Sequence, residues 1–284
     1  MRLVKDLAKG MIMGIANIIP GVSGGTMAVS MGIYDDIIFA ITHLFSEFKK
    51  SIKILLPYVI GMAVGLVGLA QIIELLLERY NMATNFAFIG LILGGLKVIT
   101  NRLKGKKIGV GCVVSFCIFF ALIIGMQFMN GENATSVELG TSPIELLLVF
   151  IIGIVASSTM VIPGVSGSMI LMILGYYEPI LTCINEFVRA LPKGEWDILF
   201  SKAAILVPFG VGVVFGIFII AKIIEILLRK WETITFSGIL GMVAASPFAI
   251  IMTARIPELN FSNVSVSIVT FSIGFLIAYY LGRE

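Results

Sequence analysis

Ile19-Pro20-Gly21-Val22-Ser23-Gly24-Gly25 is the stretch whose reading decides the fold, and it returns at mid-chain as Ile162-Pro163-Gly164-Val165-Ser166-Gly167-Ser168. Around both copies the chain is hydrophobic enough to live in lipid. Proline lacks a backbone donor and disfavours helix at the residue before it, so each copy predicts a broken helix. Irregular backbone at membrane depth survives only where protein or a cavity shelters it. Two such turns in equivalent places are the strongest functional pointers in the chain.

The 284 residues are 58% hydrophobic and 13% charged, with a mean hydropathy of +1.07. Soluble domains carry about 25% charged residues. The chain therefore reads as an integral membrane protein. Its net charge of +3 is weak, and the basic residues fall in short clusters between apolar runs. Such clusters are topology signals rather than a nucleic-acid face. Cys112, Cys117 and Cys183 show no C-x-x-C spacing and read as small buried apolar residues. With a single histidine in the chain, neither a metal centre nor a cofactor is expected. Arg2 and Lys5 precede an apolar stretch, as in a signal peptide, but no small-x-small cleavage site follows. That stretch is read as part of the mature protein.

Residues 1–9 read as a short interfacial helix with Arg2, Lys5 and Lys9 near the surface. An apolar stretch, 10–19, is too short to span and leads into the first turn. A second short helix over 26–41 brings the chain back toward His43, making a hairpin that enters the membrane and leaves on the same side. Residues 54–77, 84–100 and 108–129 each read as a transmembrane helix. Lys97, Arg102, Lys104, Lys106 and Lys107 form the densest basic cluster, which places that loop in the cytoplasm. Counting back from it puts residues 78–83 outside and Lys49, Lys50 and Lys53 inside, so the first hairpin opens to the cytoplasm. The loop 130–143, with Glu132 and Glu138, is external. An apolar run over 144–162, the second turn and an exit through Tyr176, Tyr177 and Glu178 form the second hairpin. A mixed-charge segment, 185–202, and helices over 203–228, 234–253 and 264–282 follow. Arg229 and Lys230 mark a cytoplasmic connection, which puts the second hairpin on the external side and both termini inside. Arg189, Lys193 and Lys202 fit that side less well.

The chain repeats itself. Pro20 and Pro163 stand 143 residues apart, and at that offset Gly32 meets Gly175, Tyr34 meets Tyr177, and Asp35 faces Glu178. Downstream the offset is 151, pairing Pro57 with Pro208, Gly61 with Gly212, Gly65 with Gly216, Glu74 with Glu225, and Gly90 with Gly241. One loop insertion accounts for the difference. Each half, 1–142 and 143–284, then holds a re-entrant hairpin and three crossings. An odd number of crossings turns the second half upside down. The expected fold class is an all-α polytopic membrane protein of two inverted-topology repeats that form one transport domain, the building plan of secondary transporters.

A helix broken at Ile-Pro-Gly leaves N–H groups without intrahelical partners. Glycines allow close approach of a ligand, and successive N–H groups in such turns form anion-binding nests. The helices that follow each turn add a positive dipole end. The expected anion site is Gly21, Val22, Ser23, Gly24, Gly25 and Thr26 from the first copy, with Gly164, Val165, Ser166, Gly167 and Ser168 from the second. The bland alternative is that small residues merely let helices pack closely, as at Gly61/Gly65 and Gly212/Gly216. Among charges, Glu74, Glu225 and Lys222 lie within apolar helices, and Asp35 and Glu178 sit just beyond the hairpins; these are the candidates for coupling or gating. His43 reads as a solvated interface residue.

Gly-Val-Ser-Gly also fits the G-x-S-G of intramembrane serine proteases, but a serine nucleophile needs a base within reach. His43 is placed near the first hairpin and away from Ser166, so an enzyme is not expected. The duplicated I-P-G-V-S-G, followed by G-x-Y-[DE], resembles a bacterial and archaeal membrane family of polyprenyl-phosphate transporters. The resemblance covers essentially the whole chain. It departs at Asn17, where the family commonly has Asp. The resemblance implies return of undecaprenyl phosphate from the outer to the cytoplasmic leaflet of the cell membrane. It makes the polyprenyl phosphate lipid the partner, with a proton or sodium as candidate coupling ion. The second function kept open is ion-coupled transport of a small soluble anion on the same plan.

Overall fold

A computed structural model describes residues 2–19, 22–129, 136–254 and 260–282. Pro20 and Gly21 of the first turn, and Glu132 of the expected external loop, lie outside the described residues. The rest is helix and short loop, with no strand among the described residues. Among the described residues seven helices are long and apolar enough to cross a membrane: Phe48–Gly68, Asn81–Leu103, Val110–Gln127, Pro143–Val161, Trp196–Lys230, Glu232–Thr253 and Phe261–Leu281. The protein is thus an all-helical, multi-pass membrane protein. Contacts divide the chain into two compact units: Met1–Phe128 with Ile162–Val165 and Ala221–Glu284, and Met129–Val161 with Ser166–Ile220.

The first unit begins with α1 (Arg2–Ala16), α2 (Gly24–Ser30) and α3 (Tyr34–Thr42). α1 is one continuous helix, not an interfacial piece followed by an apolar one. Lys9 is only 5% exposed, contrary to its expected place at the surface. It shares a helix face with Met13 and Ala16, both buried, so packing of that face takes the lysine inside. The expected helix over 26–41 is broken between α2 and α3, where Gly32 takes φ +70, a conformation open to glycine and costly for other residues. Next come α4 (Phe48–Ala63), a π-helical turn over Val64–Gly68, and α5 (Ala70–Arg79), where one helix over 54–77 was expected. α6 (Asn81–Leu103), α7 (Val110–Gln127), α12 (Glu232–Thr253) and α13 (Phe261–Leu281) complete this unit with the end of α11 (Trp196–Lys230). α6 and α12 are its inner helices: 67% of the apolar window of each is buried, against 22% for α7 and 17% for α13.

The second unit holds α8 (Pro143–Val161), α9 (Gly167–Ile173), α10 (Tyr177–Ala190) and most of α11. α8, read from sequence as a hairpin arm, is by itself long enough to span. α9 and the helical run Tyr177–Lys193 meet at a bend of 112°. Val149, Cys183 and Ile205 form the core here, with Tyr176 and Phe209 against it. α11 starts at Trp196, so the last part of the mixed-charge segment is already helix.

Small residues set the packing. A Cβ on Gly61 would collide with the Leu7 carbonyl oxygen, one on Gly65 with that of Met11, and one on Gly10 with that of Tyr58. In the second unit Gly212 meets the Phe150 carbonyl, Gly216 that of Ile154, and Gly153 that of Phe209. These are the same contacts carried forward by 143 residues on the hairpin arm and 151 on its partner helix. A third pair of contacts crosses over within the first unit: Gly90 of α6 lies against Phe271 of α13, and Gly241 of α12 against Phe116 of α7.

Candidate functional site

After α1 the chain tightens through three short-range bonds, from the N–H groups of Asn17, Ile18 and Ile19 to the carbonyls of Gly14, Ile15 and Ala16. Asn17 then bridges across the turn. Its Nδ2 donates to the Met13 carbonyl at 3.1 Å, and its Oδ1 accepts from the Gly24 N–H at 3.0 Å. Ser23 caps α2 in extended conformation, its Oγ accepting from the Thr26 N–H at 3.1 Å. Two of the N–H groups that a helix start leaves unpaired are therefore satisfied by side chains. Val22, Gly24 and Gly25 are buried, and Ser23 and Thr26 are 3% and 0% exposed.

The second turn comes to the first. α8 ends at Val161, Pro163 is fully buried, and Gly164 takes φ +80. The Gly164 N–H donates to Thr26 Oγ1 at 2.7 Å and to Ser23 Oγ at 3.1 Å, and these two oxygens lie 3.0 Å apart. Ser23 Oγ accepts from both Thr26 N–H and Gly164 N–H, so its own proton points to Thr26 Oγ1. The Thr26 hydroxyl proton is then the donor left over in this clasp. A Cβ on Gly164 would stand 3.2 Å from Ile123 Cδ1 and from the Met242 carbonyl oxygen. Val165 is buried beside it.

The remainder of the second copy belongs to the second unit and differs from its counterpart. Ser166 precedes α9 in extended conformation but makes no side-chain cap. Its Oγ pairs instead with Ser168 Oγ at 2.8 Å, on an exposed face. Gly167 lies 2.9 Å, by its added Cβ, from the Ala156 carbonyl. The two copies give one buried, engaged hydroxyl pair, Ser23 with Thr26, and one accessible pair, Ser166 with Ser168, in which only Ser23 and Ser166 occupy corresponding positions.

Of the charged candidates, three enter a second cluster. Asp35 forms an ion pair with Arg102 at 2.6 Å, and Glu225 meets Lys222 at 2.6 Å and His43 at 3.8 Å. Lys106 and Glu232 pair nearby at 2.6 Å. Asp35, Arg102, Glu225, Arg229 and Glu232 line one cavity of about 330 Å³. Burial raises the Asp35 carboxyl above its ordinary range; Arg102 opposes this, while Asp36 and Glu232 add to it. Glu74 on α5 and Glu178 in the first turn of α10 are exposed, apart from this cluster. Sequence reading treated Arg102 as a topology signal and His43 as solvated; their carboxylate partners come from distant segments. No group of three or more His, Cys, Asp or Glu suited to a metal occurs among the described residues. Ser23 and Ser166 bond to other hydroxyls and to backbone, not to His43.

Membrane-length helices, together with the buried contact of Gly164 with Ser23 and Thr26, define a polytopic membrane protein with an internal polar site. The chain belongs to the family described as VCA0040-like, undecaprenyl phosphate translocase-like, whose model matches residues 13–268. It is 34% identical to a protein of Staphylococcus aureus named "Polyprenyl-phosphate transporter", over 98% of this chain and 95% of the relative. It is 28% identical to a Vibrio cholerae protein of the same name, over 86% of this chain and 76% of the relative. No solved structure matches it.

Proposed function

We propose that this chain moves a polyprenyl phosphate such as undecaprenyl phosphate across the membrane, from the outer to the cytoplasmic leaflet. The phosphate is captured where the two glycine-rich turns meet. The observation that carries this reading is the clasp of Gly164 N–H by Ser23 and Thr26. A phosphate monoester bears about −1.5 to −2 charges at neutral pH, and an ion of that kind faces an idealised penalty of order 20 kcal/mol in hydrocarbon. The isoprenoid tail needs no such shelter. Hydroxyls donate as readily as they accept. The groups that satisfy one another in the clasp can therefore all turn to phosphate oxygens, exchanging neutral bonds of about 1 kcal/mol for charge-assisted ones of about 1.5–3 kcal/mol. Ser166 and Ser168, an accessible hydroxyl pair of the second unit, are further candidate phosphate donors.

The sequence halves 1–142 and 143–284 act as inverted repeats. What supports this is the recurrence of the glycine–carbonyl contacts at the two sequence offsets. The ion pairs Asp35–Arg102 and Lys106–Glu232, and the approach of His43 to Glu225 at 3.8 Å, support one cytoplasmic end for the hairpin mouth and both basic loops. Asp35, Glu225 and Lys222 in that cluster are the coupling groups of this scheme, with a proton or sodium as the ion; Glu74 and Glu178, exposed, are its outlying candidates. The test is purified protein in liposomes carrying labelled undecaprenyl phosphate in one leaflet. Exchange faster than in protein-free vesicles is expected. Exchange no faster under any proton or sodium gradient overturns the reading, and uptake of free phosphate instead would favour a soluble-anion transporter.

A further inference from the structure

An apolar cavity of about 490 Å³ lies in the first unit and is lined from four helices. Ile12 and Ile15 come from α1, Leu76 from α5, Ala87 and Leu91 from α6, and Ile277 from α13. Its size suits a small-molecule ligand, for which sites of about 300–1,000 Å³ are usual. Such sites ordinarily hold a few exposed polar groups that orient the ligand. Here the Thr84 hydroxyl is turned onto its own backbone, donating to the Leu76 and Tyr80 carbonyls, and Thr270 donates to Ala83. Nothing polar is offered to an occupant. A hydrocarbon fits.

Two of the lining residues lie close along their helices to residues that hold α2. Ile15 is two residues before Asn17, about 3 Å along the axis, and Asn17 holds the Gly24 N–H. Leu91 is four residues before Gly95, about 6 Å along α6, and Gly95 packs on Ser30 at the other end of α2. One end of the groove thus lies within about a helical turn of the elements that present Ser23 and Thr26. Its floor is closed by glycine: Gly274 lies against the Ala87 carbonyl and Gly90 against that of Phe271, so α6 and α13 leave no gap beneath it.

From this continuity we infer that the groove is the seat of the first isoprene units of the lipid tail, held while the phosphate sits at the clasp. The inference rests on the proposed lipid substrate. Branched Ile and Leu walls complement methyl-branched isoprene, and the groove adds binding energy only for substrates that carry an isoprenoid tail.

Two filling variants on different helices, Ala87→Phe and Leu76→Trp, test it, with Val113→Trp on the exposed face of α7 as control. Undecaprenyl phosphate exchange in proteoliposomes is compared with binding of inorganic phosphate, which has no tail. Each filling variant should slow undecaprenyl phosphate by at least about tenfold, the loss of roughly two methylene contacts, while inorganic phosphate binding stays within about twofold. Undiminished exchange in both shows that the groove holds only ordinary acyl chains and overturns the inference. So does an equal loss for both ligands in monodisperse protein. A diazirine placed in the tail near the phosphate separates this inference from the transport reading. Labelling of α6 or α13 without any exchange would leave the groove standing and remove transport. Full exchange with label spread over α7 would do the reverse.

Discussion

Removing the clasp one hydroxyl at a time gives the sharpest test of its geometry. Thr26→Val is isosteric and takes away the acceptor at 2.7 Å, leaving Ser23 Oγ, already at 3.1 Å, to accept the Gly164 N–H alone. Its cost should be that of one neutral hydrogen bond, about 0.5–1.5 kcal/mol. Ser23→Ala removes the cap of α2, about 1 kcal/mol, but Thr26 still accepts from Gly164. The double variant leaves that N–H with no acceptor among packed side chains, which costs a further amount of about 1 kcal/mol or more. The double loss should therefore exceed the sum of the single losses. Thermal unfolding in detergent of all four proteins measures this, with lipid exchange followed in parallel; exchange should fall most steeply in the double variant. Independent sites add to within about 0.5 kcal/mol, so additive losses would refute the shared N–H. A double variant with wild-type exchange would remove the clasp from the transport pathway.

Three further outcomes follow from the same residues. Gly164→Ala forces a side chain into the left-handed region, at about 1–2 kcal/mol, and presses its methyl toward a backbone carbonyl that cannot turn away. Lowered melting temperature and lost exchange are expected, and a variant normal in both would contradict the turn described. Asn17→Ala should cost about 1 kcal/mol through the orphaned Gly24 N–H, whereas Asn17→Asp keeps the acceptor beside a helix start and should retain most of the stability. Melting curves that rank Asp with Ala would show that the Met13 bond matters more. For Asp35, a folded pKa above the unfolded value of about 3.9 means stability that is complete below that value and is lost as pH rises through the folded pKa. Asp35→Asn removes that loss, so the variant's melting temperature should gain on wild type as pH climbs from about 4 toward neutrality. A gain in the opposite direction would show that Arg102 dominates the site.

The spanning helices were legible because long apolar runs between basic clusters leave few alternatives; α6, α7, α12 and α13 fall within a few residues of their expected bounds. Breaks without proline were not. The π-helical turn before Leu69 sits in sequence that continues apolar on both sides, and the bend at Gly32 has only a glycine to mark it. Lys9 was misplaced because its charge outweighed its position, one and two helical turns before Met13 and Ala16. At the site, the residue types were readable and their partners were not. Ser23 and Thr26 find Gly164 more than a hundred residues away, which no local pattern encodes. Asn17 looked like a lost charge, yet geometry makes it the acceptor for Gly24, a task that needs an oxygen and not an ion.

The glycine–carbonyl contacts between α1 and α4, and between α8 and α11, have a mechanical consequence. A slip of one residue along either pair would drive a side chain such as Met62 or Val213 onto a carbonyl now faced by glycine. Each pair is therefore keyed in register like a toothed rack, able to tilt as one body and unable to slide. Any motion that carries a headgroup past these helices must be taken up in the short segments where the backbone is already unwound, at 17–19, 22–23 and 162–166.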